Sequence, residues 1–315
     1  MDNRQLWYFA AIYEEGALAH AATRERVAVS ALSRHLANLE AELGVKLFAR
    51  EPRGVRPTAA GERLYSHARA ILRATAAAEA DLRDAGREVA GEISVGMAYS
   101  AMKAIGVPLM RRVLAEHPKL RLTLTESLSG STLLHLLSSE IDIAVVFNPP
   151  ADPRLRVQPV LEERMVLVGR PDMIGEPDLP IRFDDILKLP LIILRQGLSA
   201  RAIVDDGALL KRLERRARFE MNSVSGIAGS LVQGLGCAVG ARLFMQEYLD
   251  GGALAARPIV EPELRRALCI CEIADQPATF ALETVRRLCI RLSLDAVESG
   301  AWEARSVIDP HSGPY

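Results

Sequence analysis

The stretch from His20 to Thr58, HAATRERVAVSALSRHLANLEAELGVKLFAREPRGVRPT, limits what this chain can become more than any other part of it. It reads as a short helix from Leu18 to Arg26, a tight turn near Val27–Val29, and a second helix beginning at Ser30. Leu32, Leu36, Leu39 and Leu43 recur at spacings of four, three and four, which gives the second helix one apolar face. Ser33, Arg34, His35 and Asn38 occupy the opposite face. A hairpin-like segment follows, in which Arg50, Arg53 and Arg56 cluster around Pro52, Gly54 and Pro57. Two helices joined by a tight turn and followed by a basic ribbon make the pattern of a winged helix-turn-helix, whose second helix enters the major groove of duplex DNA.

Sequence readout needs side chains near the start of that helix to reach base edges, while cations hold phosphates. Val29, Ser30, Ser33 and Arg34 stand at that position. The planar donor fork of Arg34 suits a guanine edge or a phosphate. Val29 can touch a thymine methyl but cannot hydrogen-bond a base. Arg50, Arg53 and Arg56 in the wing suit phosphates or the minor groove, and the bland reading of each is a solvated surface charge.

An ordered set of residues extends the pattern across the first 62 positions: Gln5-Leu6, Phe9, Gly16, Ala21-Ala22, Ala31-Leu32-Ser33-Arg34, Leu39-Glu40, Leu43-Gly44-Val45, Leu47-Phe48, Arg50 and Thr58-Ala59-Ala60-Gly61. With these the chain resembles a LysR-type transcriptional regulator, and its length and order of elements agree. The resemblance implies a homodimeric or homotetrameric regulator of promoter DNA, acting through RNA polymerase and controlled by a small effector. It departs from the family at Ala28-Val29-Ser30, where glutamine commonly stands in place of Val29, and at Ala17 and Ala19, where hydroxyl residues are usual. Those changes bear on base preference.

The bulk numbers fit this reading. At 315 residues, more than one core is expected. A net charge of −1 conceals a balance of +3 over residues 1–73 and −4 over the remainder, which suits a DNA contact confined to one end. No apolar run has the length of a membrane span and no signal-peptide pattern opens the chain, so a cytoplasmic protein is expected. Cys237, Cys269, Cys271 and Cys289 sit in apolar segments without zinc-ligand spacing, as reduced core thiols do. No metal or cofactor is expected.

From Ala59 the composition turns Ala-rich. Leu64, Ala68, Ile71, Thr75, Ala78, Leu82 and Ala85 fall at alternating spacings of four and three, a stripe for a second copy of the same helix. The alternative is packing on the chain's own C-terminal domain. After Gly91 strands alternate with helices, which argues α/β units with mostly parallel sheets. The expected organisation is a mainly α winged helix-turn-helix over 1–58, a long linker or dimerisation helix over 59–90, and an α/β effector-binding domain over 91–299. That domain resembles a two-lobed periplasmic-binding-protein arrangement, with lobe I about 91–163 and 268–299 and lobe II about 164–267. Residues 300–315 read as a loose C-terminal tail.

Short polar residues fall at the strand-to-helix junctions, where such domains bind ligands. They are Tyr99-Ser100, Ser129-Gly130-Ser131, Gln196 with Ser199, and Asn222-Ser223. Converging helix N-termini favour a small anion, so a carboxylate-bearing metabolite bridging the lobes is expected, held mainly by Ser100 and the 129–131 turn. Taken singly, each junction is also an ordinary N-cap. The rival reading is a ligand-independent regulator whose C-terminal lobes serve assembly. An enzyme is not expected. Gly234, Gly236 and Gly240 precede a strand instead of opening a helix, and no nucleophile triad or metal-ligand cluster is present.

Overall fold

Asp2 starts the fold by closing a capping box: its carboxylate accepts from Gln5 N at 2.7 Å, while Gln5 Oε1 accepts from Asp2 N at 2.8 Å. The helix Asn3–Glu15 ends on Gly16, whose φ of 63° is the left-handed conformation that glycine adopts readily. The computed structural model describes residues 1–52, 54–83, 89–177, 179–194, 201–204 and 206–308. They divide into an N-terminal unit, mainly residues 1–87, and a C-terminal unit from 88 onward.

The N-terminal unit adds helices Leu18–Arg24 and Val29–Leu43, an antiparallel ribbon of β1 (Phe48–Glu51) and β2 (Gly54–Pro57), and the long helix Ala59–Arg83. Leu6, Phe9, Ile12, Ala21, Leu32 and Leu39 form its core. Each fully buried leucine contributes about 1.5–3 kcal/mol. The ribbon docks because Val55 N donates to Gly16 O at 2.8 Å, and a Cβ on Gly54 would collide with that same carbonyl. Glu14 ties three helices together, accepting from Arg24 at 2.7 Å, Tyr65 at 2.8 Å and Arg69 at 3.0 Å. Tyr65 also stacks on Tyr13 with ring centroids 3.8 Å apart.

Several expectations change here. The second helix starts at Val29, one residue early, so Val29 lies in its first turn. His35 leaves the polar face and packs against Tyr8, ring centroids 5.0 Å apart. Leu43 is exposed, whereas Glu40 is buried. The Glu40 carboxylate accepts from Leu47 N at 2.9 Å and Lys46 Nζ at 2.6 Å, holding the helix C-terminus against β1. The stripe of the long helix divides along its length. Leu64 and Ala68 pack into the core of their own N-terminal unit, while Ile71 and Ala78 stay exposed. Ala85 lies outside the described residues, as does the side chain of Leu82.

In the C-terminal unit the chain builds β3 (Gly91–Met97), β4 (Leu120–Glu126), β5 (Ile143–Phe147) and β6 (Leu155–Arg164). It then makes β7 (Val166–Gly169), β8 (Ile181–Arg182), β9 (Leu191–Leu194), β10 (Ala217–Met221), β11 (Ala238–Gly240) and β12 (Ala255–Val260). It returns as β13 (Arg265–Ile273) and β14 (Ala304–Ser306). Lobe I is a six-stranded sheet of order β14-β6-β13-β5-β3-β4. Lobe II holds a four-stranded sheet, β11-β7-β12-β8, and the pair β10-β9.

The sheets are not mostly parallel. β13 runs antiparallel to both β5 and β6, and β7 antiparallel to both β11 and β12. The chain leaves lobe I along β6 and re-enters it along β13, so those neighbours must point opposite ways. Apolar runs reveal strands but not their direction. The helix Phe280–Glu298 then covers lobe I through Leu282, Val285, Leu288, Cys289 and Leu292. The tail is not loose over its described part. Trp302 is 1 % exposed, and β14 pairs with β6 as the edge strand.

Candidate functional site

The first turn of the helix Val29–Leu43 presents Val29, 46 % exposed, with Ser30 and Arg34 exposed beside it and Ser33 half-buried. Arg34 has no ion-pair partner among the described residues. Ala37 and Asn38 continue the exposed face one turn further, and Asn38 lies four residues beyond Arg34. In the ribbon, Arg50 pairs with Val55 and Arg56 with Ala49. Neighbouring cross-strand pairs project to opposite sides, so the two arginines do not share a face. Arg56 lies 3.3 Å from Glu51, an exposed pair of small energetic weight. Arg53 lies outside the described residues.

Between the lobes lies a cavity of about 710 Å³ of empty space, partly continuous with solvent. Tyr99, Ser100 and Ser129 reach it from lobe I. Tyr99 and Ser100 open a helical run from Tyr99 to Glu116 with a π turn at Met102–Gly106; Ser129 opens the helix Ser129–Leu137. Gly130 is buried and Ser131 half-buried in that second helix, but neither lines the cavity. Ser223 is spent as a cap, accepting from Gly226 N at 3.0 Å, and Asn222 is exposed outside the cavity. Gln196 and Ser199 lie outside the described residues. Among the described members of the expected polar set, the cavity thus brings together Tyr99, Ser100 and Ser129.

Two contributors escaped the sequence reading. The helix Arg242–Asp250, where no element is expected, supplies Phe244, whose ring meets Tyr99 edge-on across the cleft at 5.4 Å. More consequential is Arg266 on β13. Its guanidinium lies 3.6 Å from the centroid of Phe147, and Nε donates to Glu163 Oε1 at 2.6 Å. Nη2 donates to Ser100 Oγ at 3.0 Å, and Nη1 to Ala202 O at 3.3 Å. Glu163 Oε2 in turn accepts from Trp302 Nε1 at 2.8 Å. Arg265 and Arg266 are adjacent in sequence, and only the pleat of β13 turns the second one inward. Asn148, with φ 44°, steadies the same wall by accepting from Ala267 N at 2.8 Å and donating to Arg201 O at 2.9 Å.

The four cysteines are buried and unpaired as disulfides. Burial pushes the thiols of Cys237 and Cys289 up to about 12 and raises that of Cys271 as well. No described helix is long and apolar enough to cross a membrane.

Residues 86–293 match the family model for the LysR substrate binding domain, and residues 3–62 that for the bacterial regulatory helix-turn-helix protein, lysR family. The chain belongs to the LysR family. This LysR-type chain is 34% identical over 241 residues to the nitrogen assimilation regulatory protein nac of Klebsiella aerogenes, covering 76% of this chain and 78% of the relative. Its fold is that of full-length OxyR from Pseudomonas aeruginosa, at TM-score 0.68 and 20% identity over 93% and 94% of the two chains. It is also that of LysG from Corynebacterium glutamicum with bound effector Arg, at TM-score 0.59 and 20% identity over 94% and 99%. The LysR-type chain is therefore a DNA-binding transcriptional regulator with an effector-binding domain, and not an enzyme.

Proposed function

We propose that this regulator reads its operator with Val29, Ser30, Ser33 and Arg34, grips phosphates with the wing, and answers to a carboxylate-bearing metabolite held between its lobes. The observation that carries the effector reading is the convergence of Ser100, Ser129 and Arg266 on one cavity whose walls come from both lobes. A ligand touching both walls binds one arrangement of the lobes better than others, and so shifts their population. In the LysG structure the corresponding fold carries a bound effector, which supports a ligand here. The exposed Ile71 and Ala78 on the long helix favour pairing of subunits, which would present two heads to a two-fold site. A chromosomal target places this work in the cytoplasm, with RNA polymerase as the partner that converts altered DNA bending into altered transcription.

The test is footprinting on DNA flanking the gene for this chain, with and without small carboxylates, using wild type and Ser100→Ala. The expected result is a footprint whose extent changes with one carboxylate and stays fixed in the variant. A footprint that no carboxylate alters, with no heat of binding, would favour a regulator whose lobes serve assembly alone.

A further inference from the structure

The polar groups offered to the inter-lobe cavity are able chiefly to donate. Ser100 Oγ already accepts from Arg266 Nη2 at 3.0 Å, and Ser129 Oγ from Phe147 N at 3.2 Å. The hydroxyl hydrogens of both serines have no acceptor among the described residues. The Tyr99 hydroxyl, on the same wall, is likewise without one. Arg266 can only donate. No Asp or Glu is among the described lining residues, and the only charged one is Arg266. The remaining surface is apolar, with Phe147 in lobe I and Ile192, Val224, Ile227, Val239 and Phe244 in lobe II.

A cavity that presents donors at one end and hydrocarbon elsewhere selects its ligand by what it leaves unpaired. An ammonium would find no carboxylate among the described lining residues. A second carboxylate would be driven against valine and isoleucine side chains, with no second cation among the described lining residues to meet it. An amide or alcohol head would have only the remaining hydroxyl lone pairs for its donor and brings no negative charge to the N–H groups of Arg266. Glu163 already neutralises Arg266, so the guanidinium contributes directed N–H groups instead of uncompensated charge, and much of the affinity must come from the apolar body.

We infer that the effector is an apolar monocarboxylic acid without an α-amino group, its carboxylate on Ser100, Ser129 and Arg266 and its aromatic or branched body between Phe244 and the lobe II valines. This rests on the cavity being the effector site, as proposed above. It separates this chain from LysG, whose bound effector is Arg.

Calorimetry on the full chain with matched probes tests it. The aromatic series is 3-phenylpropionate, its amide, phenylalanine and 4-(2-carboxyethyl)benzoate; the branched pair is 4-methylpentanoate and leucine. The expected result is that one monocarboxylate binds at least tenfold tighter than its amide, amino-acid and dicarboxylate partners. Ser100→Ala should weaken that binding at least fivefold, with an unchanged melting curve showing that the variant is folded. If an amino acid, the amide or the dicarboxylate binds as tightly as its monocarboxylate, and Ser100→Ala weakens it, the site is right and the inferred class is wrong. Binding indifferent to Ser100→Ala and to a second variant, Ser129→Ala, or no binding by any probe, overturns the cavity as the effector site and the inferred class with it.

Discussion

Glu163 and Arg266 face each other in register on β6 and β13, Oε1 2.6 Å from Nε, where one strand leaves lobe I and the other returns to it. Their side chains are 4 % and 10 % exposed. A pair this deep is sensitive to the loss of one member, because the survivor is a buried charge with no counterpart. Glu163→Gln and Arg266→Met should each lower unfolding stability by about 3–5 kcal/mol in urea titrations. The double variant should recover part of that loss, and strictly additive losses would show that the two do not act as a pair.

Trp302 extends the same network through its bond to Glu163 Oε2. Trp302→Phe keeps an aromatic ring but strands a buried acceptor, at a cost of about 1–3 kcal/mol for that acceptor alone. Ending the chain at Ser299 also removes β14 from the sheet edge and should cost more still. A truncated chain with an unchanged melting temperature would show that the segment is dispensable.

Glu40 makes the N-terminal unit acid-sensitive. Burial pushes its carboxyl up, but the bonds from Lys46, Leu47 and Phe48 outweigh that and leave it below the ordinary 4.5. A folded-state value below the unfolded one means stability that is present above pH 4.5 and lost as pH falls through the folded value. Wild type should therefore lose stability below about pH 4.5 faster than Glu40→Gln, which at pH 7 should already be weaker by about 1.5–3 kcal/mol. Parallel curves for the two proteins between pH 7 and pH 3 would rule Glu40 out as the source.

The wing arginines should not act alike. Arg50 and Arg56 lie on opposite sides of the ribbon, so a single DNA surface can take one of them directly. Replacing the arginine that holds a phosphate should flatten the slope of log K against log salt by about 0.9, and replacing the other should leave it unchanged. Arg34→Ala should cost about 1–3 kcal/mol in operator binding with the oligomer intact. Equal slopes for both wing variants would contradict the opposed geometry.

The four buried cysteines should be unreactive in the folded chain. With Cys237 and Cys289 pushed up to about 12 by burial, neither holds appreciable thiolate at pH 7. A water-soluble disulfide reagent should titrate none of the four thiols in the native protein and all four after unfolding. Fast reaction of any one in the native state would refute their role as core residues.

What the sequence determined by itself was whatever rests on local period and local chemistry. Leucines at helical spacing placed the second helix to within a residue of its start, the turn residues of 52–57 marked the ribbon, and serines at strand ends marked the lobe I wall of the cavity. Tertiary structure decided what depends on residues far apart in the chain. Arg266 and Ser100 are 166 residues apart, and neither carries a signal that names the other. Arg265 and Arg266 are identical by type, yet the pleat sends one to surface carboxylates and the other into the cleft. The directions of β13 and β7 followed from the chain crossing twice between lobes. Trp302, in a segment polar enough to read as a tail, was claimed by a buried acceptor on β6. In each case the physical reason is the same: hydrophobic period is written along the chain, whereas the pairing of a buried donor with its acceptor exists only once distant strands lie side by side.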